Sequence, residues 1–331
     1  MMKAKMLKKR GDHRKRLISV CVALWLIDII LAYAIIIGIL LPISIRMMTG
    51  YKYLISPIPF GNVRVTEYTG NDQNIIVPSY LMFFNTSDFN ASVYQNNGNI
   101  TSVYISEDIR VIPSFDGCAN LEQLTFSENS ICKSVDGFSR CINLNNVVLP
   151  ESVERIEIGA FSGCVSLESI HIPDSVTYIG LAAFEKTLFE YYHRTDEYYV
   201  VGDNILLFYN GETSSIAIPE GVKSVCEGSL NDRYDKQSCS RCIYYPSTIV
   251  RIDPFIDSKT TVYCPVMSEI EIDEYYVNDI QGTIVAPEVS FLESFCQENN
   301  IKFRVMTYEE KTKCEEKTNS VTDKVVNANE E

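Results

Sequence analysis

Histidine is scarce in this chain, which has three among its 331 residues. His13 lies in a basic N-terminal stretch, so a Ser-His-Asp or Cys-His catalytic arrangement would have to use His171 or His193. Neither stands beside a sequence that resembles a nucleophile motif. The sequence therefore predicts a protein that is not an enzyme, and the alternative of a site built from scattered carboxylates stays open.

Metal-ligand patterns are few as well. Cys239-Ser-Arg-Cys242 is the single C-x-x-C pair, and no second pair follows at the spacing of a zinc site. Cys264 could complete a partial ligand set. We predict no metal and no cofactor, and Cys239 and Cys242 form either a local disulfide or two unpaired thiols.

Basic residues are scarce beyond the N-terminus. After residue 16 the chain has 21 basic and 42 acidic residues. Such an acidic exterior repels the phosphates of nucleic acids and the head groups of anionic lipids. The composition therefore excludes a nucleic-acid partner, and the simplest effect of the charge is solubility.

One long hydrophobic run is present, over residues 17–45, with Asp28 and Pro42 as its interruptions. A helix of that length reaches roughly 43 Å, which is enough to cross a bilayer with some tilt. Eight Lys and Arg residues precede it in residues 1–16. The positive-inside rule then predicts a signal-anchor helix with a cytoplasmic N-terminus. Asp28 is either protonated near the interface or contacts a second membrane helix.

A 23-residue period organises the middle of the chain. It is marked by three sets of residues: Phe115, Phe138, Phe161 and Phe184; Cys118, Cys141 and Cys164; and Leu121, Leu144 and Leu167. This period, combined with an L-x-x-L-x-L pattern, indicates a leucine-rich solenoid whose stacked coils share one core. We expect the phenylalanines to form a column, and the cysteines to be buried thiols or, alternatively, to form a disulfide between adjacent coils.

Alternation along each strand predicts which side chains face the core. In the coil that starts at Leu144, Val147 and Leu149 should point inward, and Asn146 and Val148 outward. The repeat over residues 161–184, FSGCVSLESIHIPDSVTYIGLAAF, resembles the BspA-type leucine-rich repeat. The sequence matches the motif well over about 70 residues and only imperfectly over roughly residues 60–305.

The resemblance implies a leucine-rich-repeat solenoid with one parallel strand per coil and short turns on the other flank. Members of this family are mostly surface or secreted proteins of bacteria and some protists, and several bind host proteins or other cells. The family has no shared catalytic residues. The resemblance also implies a hairpin-like N-terminal cap at 61–80 and a C-terminal cap made of a helix at 291–300 and the residues up to 303.

These observations divide the chain into five segments: a cytoplasmic basic segment (1–16), a transmembrane helix (17–45), a stem (46–60), a leucine-rich-repeat ectodomain (61–305) and a disordered acidic tail (306–331). A β-hairpin is expected as an insertion at about 188–211, because turn residues separate two Tyr-rich runs. Further strands are predicted at 216–218, 261–265 and 283–287, and a turn-and-strand unit at 244–252. The tail has too few apolar residues to build a core.

The function that we predict is a membrane-anchored, extracytoplasmic module for protein binding or adhesion at the cell surface. Its binding residues would be outward-pointing strand residues and exposed tyrosines of the hairpin: Gln123, Thr125, Asn146, Val148, Ser169, His171, Ser215, Ala217, Tyr191, Tyr192, Tyr198, Tyr199 and Tyr209. The tyrosines could instead pack on the flank of the solenoid. The alternative function is a structural scaffold or spacer in a membrane complex, with the transmembrane helix making the specific contacts. Glycosylation sequons at Asn85, Asn90 and Asn99 support an outside location weakly.

Overall fold

A computed structural model describes residues 51–55, 63–77, 80–81, 84–90, 92–211, 214–230 and 240–327. The predicted cytoplasmic segment and the predicted membrane helix lie outside these residues. Among the residues described, no helix combines the length and the apolar character that a membrane crossing requires. The described residues divide into two compact units, one made of those in the ranges 51–70 and 81–90, and one made of those in the range 71–80 and from 92 onward, with the boundary between Tyr80 and Leu81.

The first unit is built around a four-stranded sheet. Its strands are β1 (Tyr51–Ile55), β2 (Val63–Tyr68), β4 (Tyr80–Leu81) and β5 (Phe84–Phe89), in the order β1-β2-β5-β4. β1 is antiparallel to β2, and β2 is parallel to β5. The predicted stem therefore includes a strand. The hairpin-like cap predicted at 61–80 is wrong, because β2 and the next strand belong to different sheets.

The second unit begins with a parallel sheet of five strands, which we call the first sheet. Its strands are β3 (Asn74–Val77), β6 (Ser102–Ile105), β7 (Gln123–Phe126), β9 (Asn146–Val148) and β11 (Ser169–His171). Each strand pairs in parallel with the strand of the next coil. Val147 and Leu149 are buried while Asn146 and Val148 are exposed, which confirms the predicted alternation.

The opposite side of the same coils carries a smaller parallel sheet. It consists of β8 (Ser134–Val135), β10 (Arg155–Ile156) and β12 (Tyr178–Ile179). The predicted phenylalanine column lies in the core, and its neighbouring rings stack with centroids 5.6 to 5.8 Å apart. The ring of Tyr94 extends the column, with its centroid 4.7 Å from that of Phe115. The prediction of a stacked column is thus confirmed.

The repeated cysteines lie beside this column. All three are buried and free. Each thiol donates to a backbone carbonyl of the preceding coil: Cys118 to Tyr94 (3.1 Å), Cys141 to Phe115 (3.3 Å) and Cys164 to Phe138 (3.0 Å). Burial raises the pKa of Cys118 to about 11, so this thiol stays protonated at neutral pH.

The repeat pattern lapses after Phe184. Residues Leu188–Tyr192 form helix α1, and a 3-10 helix follows at His193–Thr195. α1 begins here because the hydroxyl of Thr187 accepts a hydrogen bond from the amide of Glu190 (3.0 Å), which caps the helix. The hairpin predicted at 188–211 is therefore confined to β13 (Tyr198–Val201) and β14 (Ile205–Tyr209), which pair antiparallel.

A second parallel sheet of five strands, the second sheet, fills the rest of the unit. Its strands are β15 (Ser215–Ala217), β17 (Arg241–Tyr244), β18 (Thr260–Tyr263), β19 (Thr283–Ala286) and β20 (Lys302–Val305). Predicted strands at 261–265 and 283–287 are present with slightly different bounds. Helix α2 (Phe291–Glu298) precedes β20 as expected. A 3-10 helix lies at Glu274–Asp279.

The predicted disorder of residues 306–331 is wrong for the part that the structure describes. Helix α3 (Tyr308–Ser320) is followed by a 3-10 helix (Thr322–Lys324) and β21 (Val325–Asn327). β21 pairs in parallel with β13, in a sheet of order β16-β14-β13-β21 with β16 at Ser224–Val225. We call residues 307–327 the C-terminal strap. Its order comes from a capping box between Thr307 and Glu310 and from contacts with the second sheet, rather than from its own apolar residues.

Candidate functional site

The outward side of the first sheet is open to solvent and forms two rows of aligned side chains, which we call the open face. Strand pairing aligns Asn74, Ser102, Gln123, Asn146 and Ser169 in the first row. The second row consists of Ile76, Tyr104, Thr125, Val148 and His171. All but Ser102 are exposed, and Val148 retains 66% of its surface.

The first row of the open face is polar and internally hydrogen-bonded. Ser102 donates its hydroxyl proton to the Asn74 side-chain oxygen at 2.6 Å, and Ser169 does the same to Asn146 at 2.6 Å. These bonds hold the amide groups in fixed positions. The second row is mainly apolar or aromatic. The open face therefore offers an ordered polar row beside an apolar row, a combination suited to binding a protein surface.

Acidic residues border the open face where the strands end. Glu107, Glu128, Glu151 and Asp174 occupy the same position in four successive coils, and all are exposed. We call this set the acidic column. Its carboxylates reach the open face, because the Glu151 oxygen lies 4.0 Å from Nε2 of His171. Residues 92–175 contain 11 acidic and 4 basic residues, so the potential over this region is negative.

The structure brings six of the predicted binding residues together on the open face: Gln123, Thr125, Asn146, Val148, Ser169 and His171. Sequence reasoning missed Asn74, Ile76, Ser102 and Tyr104, which belong to the same two rows. Asn74 and Ile76 lie within 61–80, the range predicted as a cap, and no strand is predicted from the sequence over residues 102–105. The signal was available in the alternation of NIIV and SVYI, which matches that of the later strands.

Two predicted tyrosine anchors are wrong. Tyr198 retains 2% of its surface and Tyr199 retains 4%, so neither can be an exposed contact. The ring of Tyr199 stacks on that of His193 at 3.7 Å, and burial raises the pKa of Tyr198. The alternative that these side chains pack within the protein is the correct one for this pair. Tyr191 and Tyr192, on α1, are exposed as predicted.

The prediction that Ala217 faces solvent is also wrong. Ala217 lies in the second sheet and retains 7% of its surface, because helix α3 packs over it. The corresponding positions of the next strands, Tyr244 and Tyr263, stack with ring centroids 4.8 Å apart beneath the same helix. The C-terminal strap thus covers the outward side of the second sheet over its first two strands, β15 and β17.

Polar contacts fix the C-terminal strap to the second sheet. The Cys314 thiol donates to the backbone carbonyl of Tyr245 at 3.2 Å. The Lys317 ammonium donates to the hydroxyl of Ser215 at 2.5 Å and lies 4.5 Å from the ring centroid of Tyr244. Lys324 is paired with Glu197 at 2.8 Å. Lys317 therefore contacts both outward rows of the second sheet at once.

A pair of buried carboxyl groups lies away from both faces. Burial raises the pKa of Asp253 to about 7, although the amides of Gly228 and Phe255 donate to its oxygens. Burial also raises the pKa of Glu227, whose Oε2 has no hydrogen-bond partner. Over the described ranges, no group of three or more His, Cys, Asp or Glu residues could hold a metal ion.

The predicted cysteine pair is only partly described. Cys239 lies outside the described residues, so its relation to Cys242 stays a prediction. Cys242 is half-buried and Cys264 is fully buried. Burial raises the pKa of Cys264 to about 12, which favours the protonated thiol over the thiolate that binds metals.

Comparison with solved structures finds other leucine-rich repeat proteins. A leucine-rich repeat protein of T. pallidum is 18% identical, with a TM-score of 0.40, over 78% of this chain and 97% of that one. A leucine-rich cell surface protein of Faecalibacterium prausnitzii is 17% identical, with a TM-score of 0.33, over 80% and 95% of the two chains. The pneumococcal vaccine antigen PcpA is 14% identical, with a TM-score of 0.34, over 78% and 96%. At these scores no residue role is transferred.

A search of curated proteins finds no match. The family model of the BspA-type leucine-rich repeat region matches residues 87–206 with six copies. That range contains the phenylalanine column, the cysteines beside it and four of the five strands of the first sheet. Residues 87–206 are therefore similar to the BspA-type leucine-rich repeat region.

Proposed function

We propose that the protein is a binding or adhesion module of the cell surface, and that the open face holds its protein partner. One observation supports this proposal above the others. The two parallel sheets have the same strand count, yet the chain's own helix covers the first two strands of the second sheet, while the outward side of the first is exposed over five strands. Exposed ordered rows of this extent are the surfaces that repeat proteins use for binding.

We further propose that residues 17–45 anchor the protein in a membrane, with residues 1–16 in the cytoplasm and the repeats outside. The support is the sequence: an apolar run of the required length, preceded by eight basic residues. The domain division stated above follows from this arrangement, except that the tail includes the C-terminal strap. The proposed role is binding without catalysis, and its support is the match to a repeat family.

Site-specific photo-crosslinking tests this function. A benzophenone amino acid is placed at Thr125, on the open face, or at Met267, an exposed control position elsewhere. Intact cells that produce the full-length chain are irradiated. We expect protein adducts from position 125, none of the same identity from position 267, and loss of the adducts when Val148→Arg is added.

Equal adducts from both positions, or adducts that survive Val148→Arg, would overturn the assignment of the open face. The scaffold alternative gives a different pattern. It predicts that partners are kept when the open face is changed and lost when residues 17–45 are replaced by an unrelated apolar span.

A further inference from the structure

The edge of the open face carries the exposed carboxylates of the acidic column. Among the described residues, Glu107 and Glu128 form no ion pair with lysine or arginine, and the ionisable neighbour of Glu151 is His171, whose Nε2 lies 4.0 Å from the carboxylate oxygen. Neighbouring strands in a sheet lie about 4.8 Å apart, so carboxylates at equivalent positions of successive coils repel one another. A partner with regularly spaced positive charges would relieve that repulsion.

Part of the outward side of the second sheet is covered by a helix of the same chain, which gives a precedent for a helix on such a sheet. Helix α3 packs against β15 and β17, and Lys317 contacts Ser215 in one row and the ring of Tyr244 in the other. The open face also has a serine in its first row, Ser169, and a tyrosine in its second row, Tyr104. These two residues lie on β11 and β6 with β9 and β7 between them, whereas Ser215 and Tyr244 lie on paired strands, so two different side chains of a partner would have to contact them.

The geometry of a helix matches the spacing of the acidic column. Side chains at i, i+3 and i+4 on one helix face lie about 5 to 6 Å apart, close to the separation of about 4.8 Å between strands. Lysines repeated along one face could therefore meet the carboxylates of successive coils. Apolar side chains next to those lysines would then lie over Val148 and Ile76, which are 66% and 65% exposed.

We propose that the open face binds a lysine-rich helical segment of a partner protein, in the way that helix α3 lies on the second sheet. The lysines contact the acidic column and the ring of Tyr104, and the apolar residues of the helix cover the second row. This proposal rests on the proposed function and specifies the chemistry of its partner.

A pair of synthetic helical peptides tests the proposal. The first carries lysines at i, i+4 and i+7 positions of one face beside leucines, and the second has glutamate in place of every lysine. Binding to the full-length chain in detergent is measured by fluorescence anisotropy at low and high salt. We expect the lysine peptide to bind and the glutamate peptide not to bind. Affinity should fall at least tenfold between 50 and 300 mM salt, since exposed charges are screened.

Matched variants separate a specific site from general attraction to an acidic protein. The site variant combines Glu107→Gln, Glu128→Gln and Glu151→Gln. The control variant combines Glu269→Gln, Glu288→Gln and Glu298→Gln, three exposed residues outside the first sheet, and it changes the net charge equally. We expect at least a tenfold loss of affinity in the site variant and less than a twofold change in the control. Tyr104→Ser, which alters no charge, should also weaken binding several-fold.

Equal losses in the two triple variants would overturn the proposal, and so would binding of both peptides with the same affinity. That failure is distinguishable from failure of the proposed function. Adducts at position 125 with a partner that has no basic helix would keep the open face as a binding surface and exclude the lysine-rich helix.

Discussion

The two parallel sheets of the second unit differ in what their outward sides require. The outward rows of the first sheet mix Asn, Ser and Gln with Thr, Val and His, and they are exposed. One outward row of the second sheet is formed by Ala217, Tyr244, Tyr263 and Val285, and α3 packs over its first two strands. Exposing aromatic and aliphatic side chains to water is unfavourable, so α3 stabilises the row that it covers, whereas the second row of the first sheet leaves Ile76, Tyr104 and Val148 exposed. This difference supports the proposal that the first sheet is left open for a partner.

The interiors beneath the two sheets differ as well. Under the first sheet, one residue type repeats in each coil, and four phenylalanine rings stack in register. Under the second sheet, Leu230 takes the place of phenylalanine, and the core is mainly aliphatic. This second region also contains the buried carboxyl groups of Glu227 and Asp253. We therefore expect the first region to be more sensitive to changes of volume and the second to changes of pH.

The largest effect that we expect comes from Phe138→Ala. The ring of Phe138 stacks between two others at 5.6 and 5.8 Å and is fully buried. Its removal leaves a cavity between coils and should lower the free energy of unfolding by about 3–5 kcal/mol. Urea denaturation followed by circular dichroism measures the change. Val148→Ala, on the exposed side of the next strand, serves as the control, with a change within about 0.5 kcal/mol. A loss below about 1 kcal/mol in Phe138→Ala would contradict a packed column.

The regular repeats under the first sheet could be predicted from the sequence, and the less regular second region could be predicted only in part. Identical residues at one interval predict their own stacking, which is why Phe115 to Phe184, the cysteines and the alternation around Val147 were predicted correctly. The cover of the second sheet was not predictable in the same way. Helix α3 buries only Cys314 and Thr318, so its sequence has the composition of a disordered tail. Its order depends on contacts with strands far away in the chain, which local composition does not record.

The candidate binding site was likewise predictable where it follows from strand alternation and not where it depends on tertiary packing. The rows of the open face follow from strand alternation, whereas the burial of Tyr198 and Tyr199 depends on the packing of the hairpin against α1 and other strands. A Tyr-rich hairpin has the same sequence whether its rings face solvent or the core. The predicted binding role of the open-face residues themselves stays a prediction.

The second effect is expected from Cys314→Asp, which places a charge beneath α3. Cys314 is fully buried, and burial raises the pKa of its thiol to about 12. A carboxylate there would lack compensating donors, so we expect a cost of at least about 2 kcal/mol and release of the C-terminal strap. Hydrogen exchange of residues 308–320 should become much faster. Val148→Asp makes the same kind of change on the open face and should leave stability within about 0.5 kcal/mol, because that side chain stays in water. Unchanged exchange in Cys314→Asp would show that α3 is not held by this contact.

A third, smaller effect concerns the buried carboxyl groups of the second region. The pKa of Asp253 is raised from 3.8 to about 7 by burial, and that of Glu227 is raised from 4.5. Between the unfolded and folded values, the folded chain binds more protons than the unfolded chain, so the free energy of unfolding falls as the pH rises from about 4 to 7. The groups around Glu227 are Asp273, Arg251 and Tyr178, with Asp253 nearby.

Glu227→Gln tests this origin of the pH dependence. The variant removes a buried negative charge whose Oε2 has no partner, so we expect a gain of about 1 kcal/mol at pH 8. At pH 4.5, which lies below the raised pKa of the native carboxyl group, the gain should be smaller. Denaturation at the two pH values measures it, with Glu269→Gln as an exposed control that should show no gain at either. A gain of equal size at both pH values would argue against a buried ionised Glu227.

The smallest effect is expected at the start of the C-terminal strap. The guanidinium of Arg304 donates to both oxygens of Glu310, at 2.6 and 2.9 Å, and lowers the pKa of that carboxyl to about 2. Glu310 also accepts from the amide of Thr307 in the capping box. This stabilisation is present above pH 4.5 and lost as the pH falls toward 2. Because Arg304 is half-exposed, solvent limits the contribution to about 1 kcal/mol or less.

Glu310→Gln should therefore speed hydrogen exchange of residues 308–320 by about fivefold at pH 7, with the rest of the chain unchanged. Glu309→Gln is the matched control, since it removes the same charge from the same helical turn without touching Arg304 or the capping box. An equal acceleration in both variants would assign the effect to the helix dipole instead of the ion pair. The open face has no counterpart of this contact among the described residues, so only the second sheet should respond to the change.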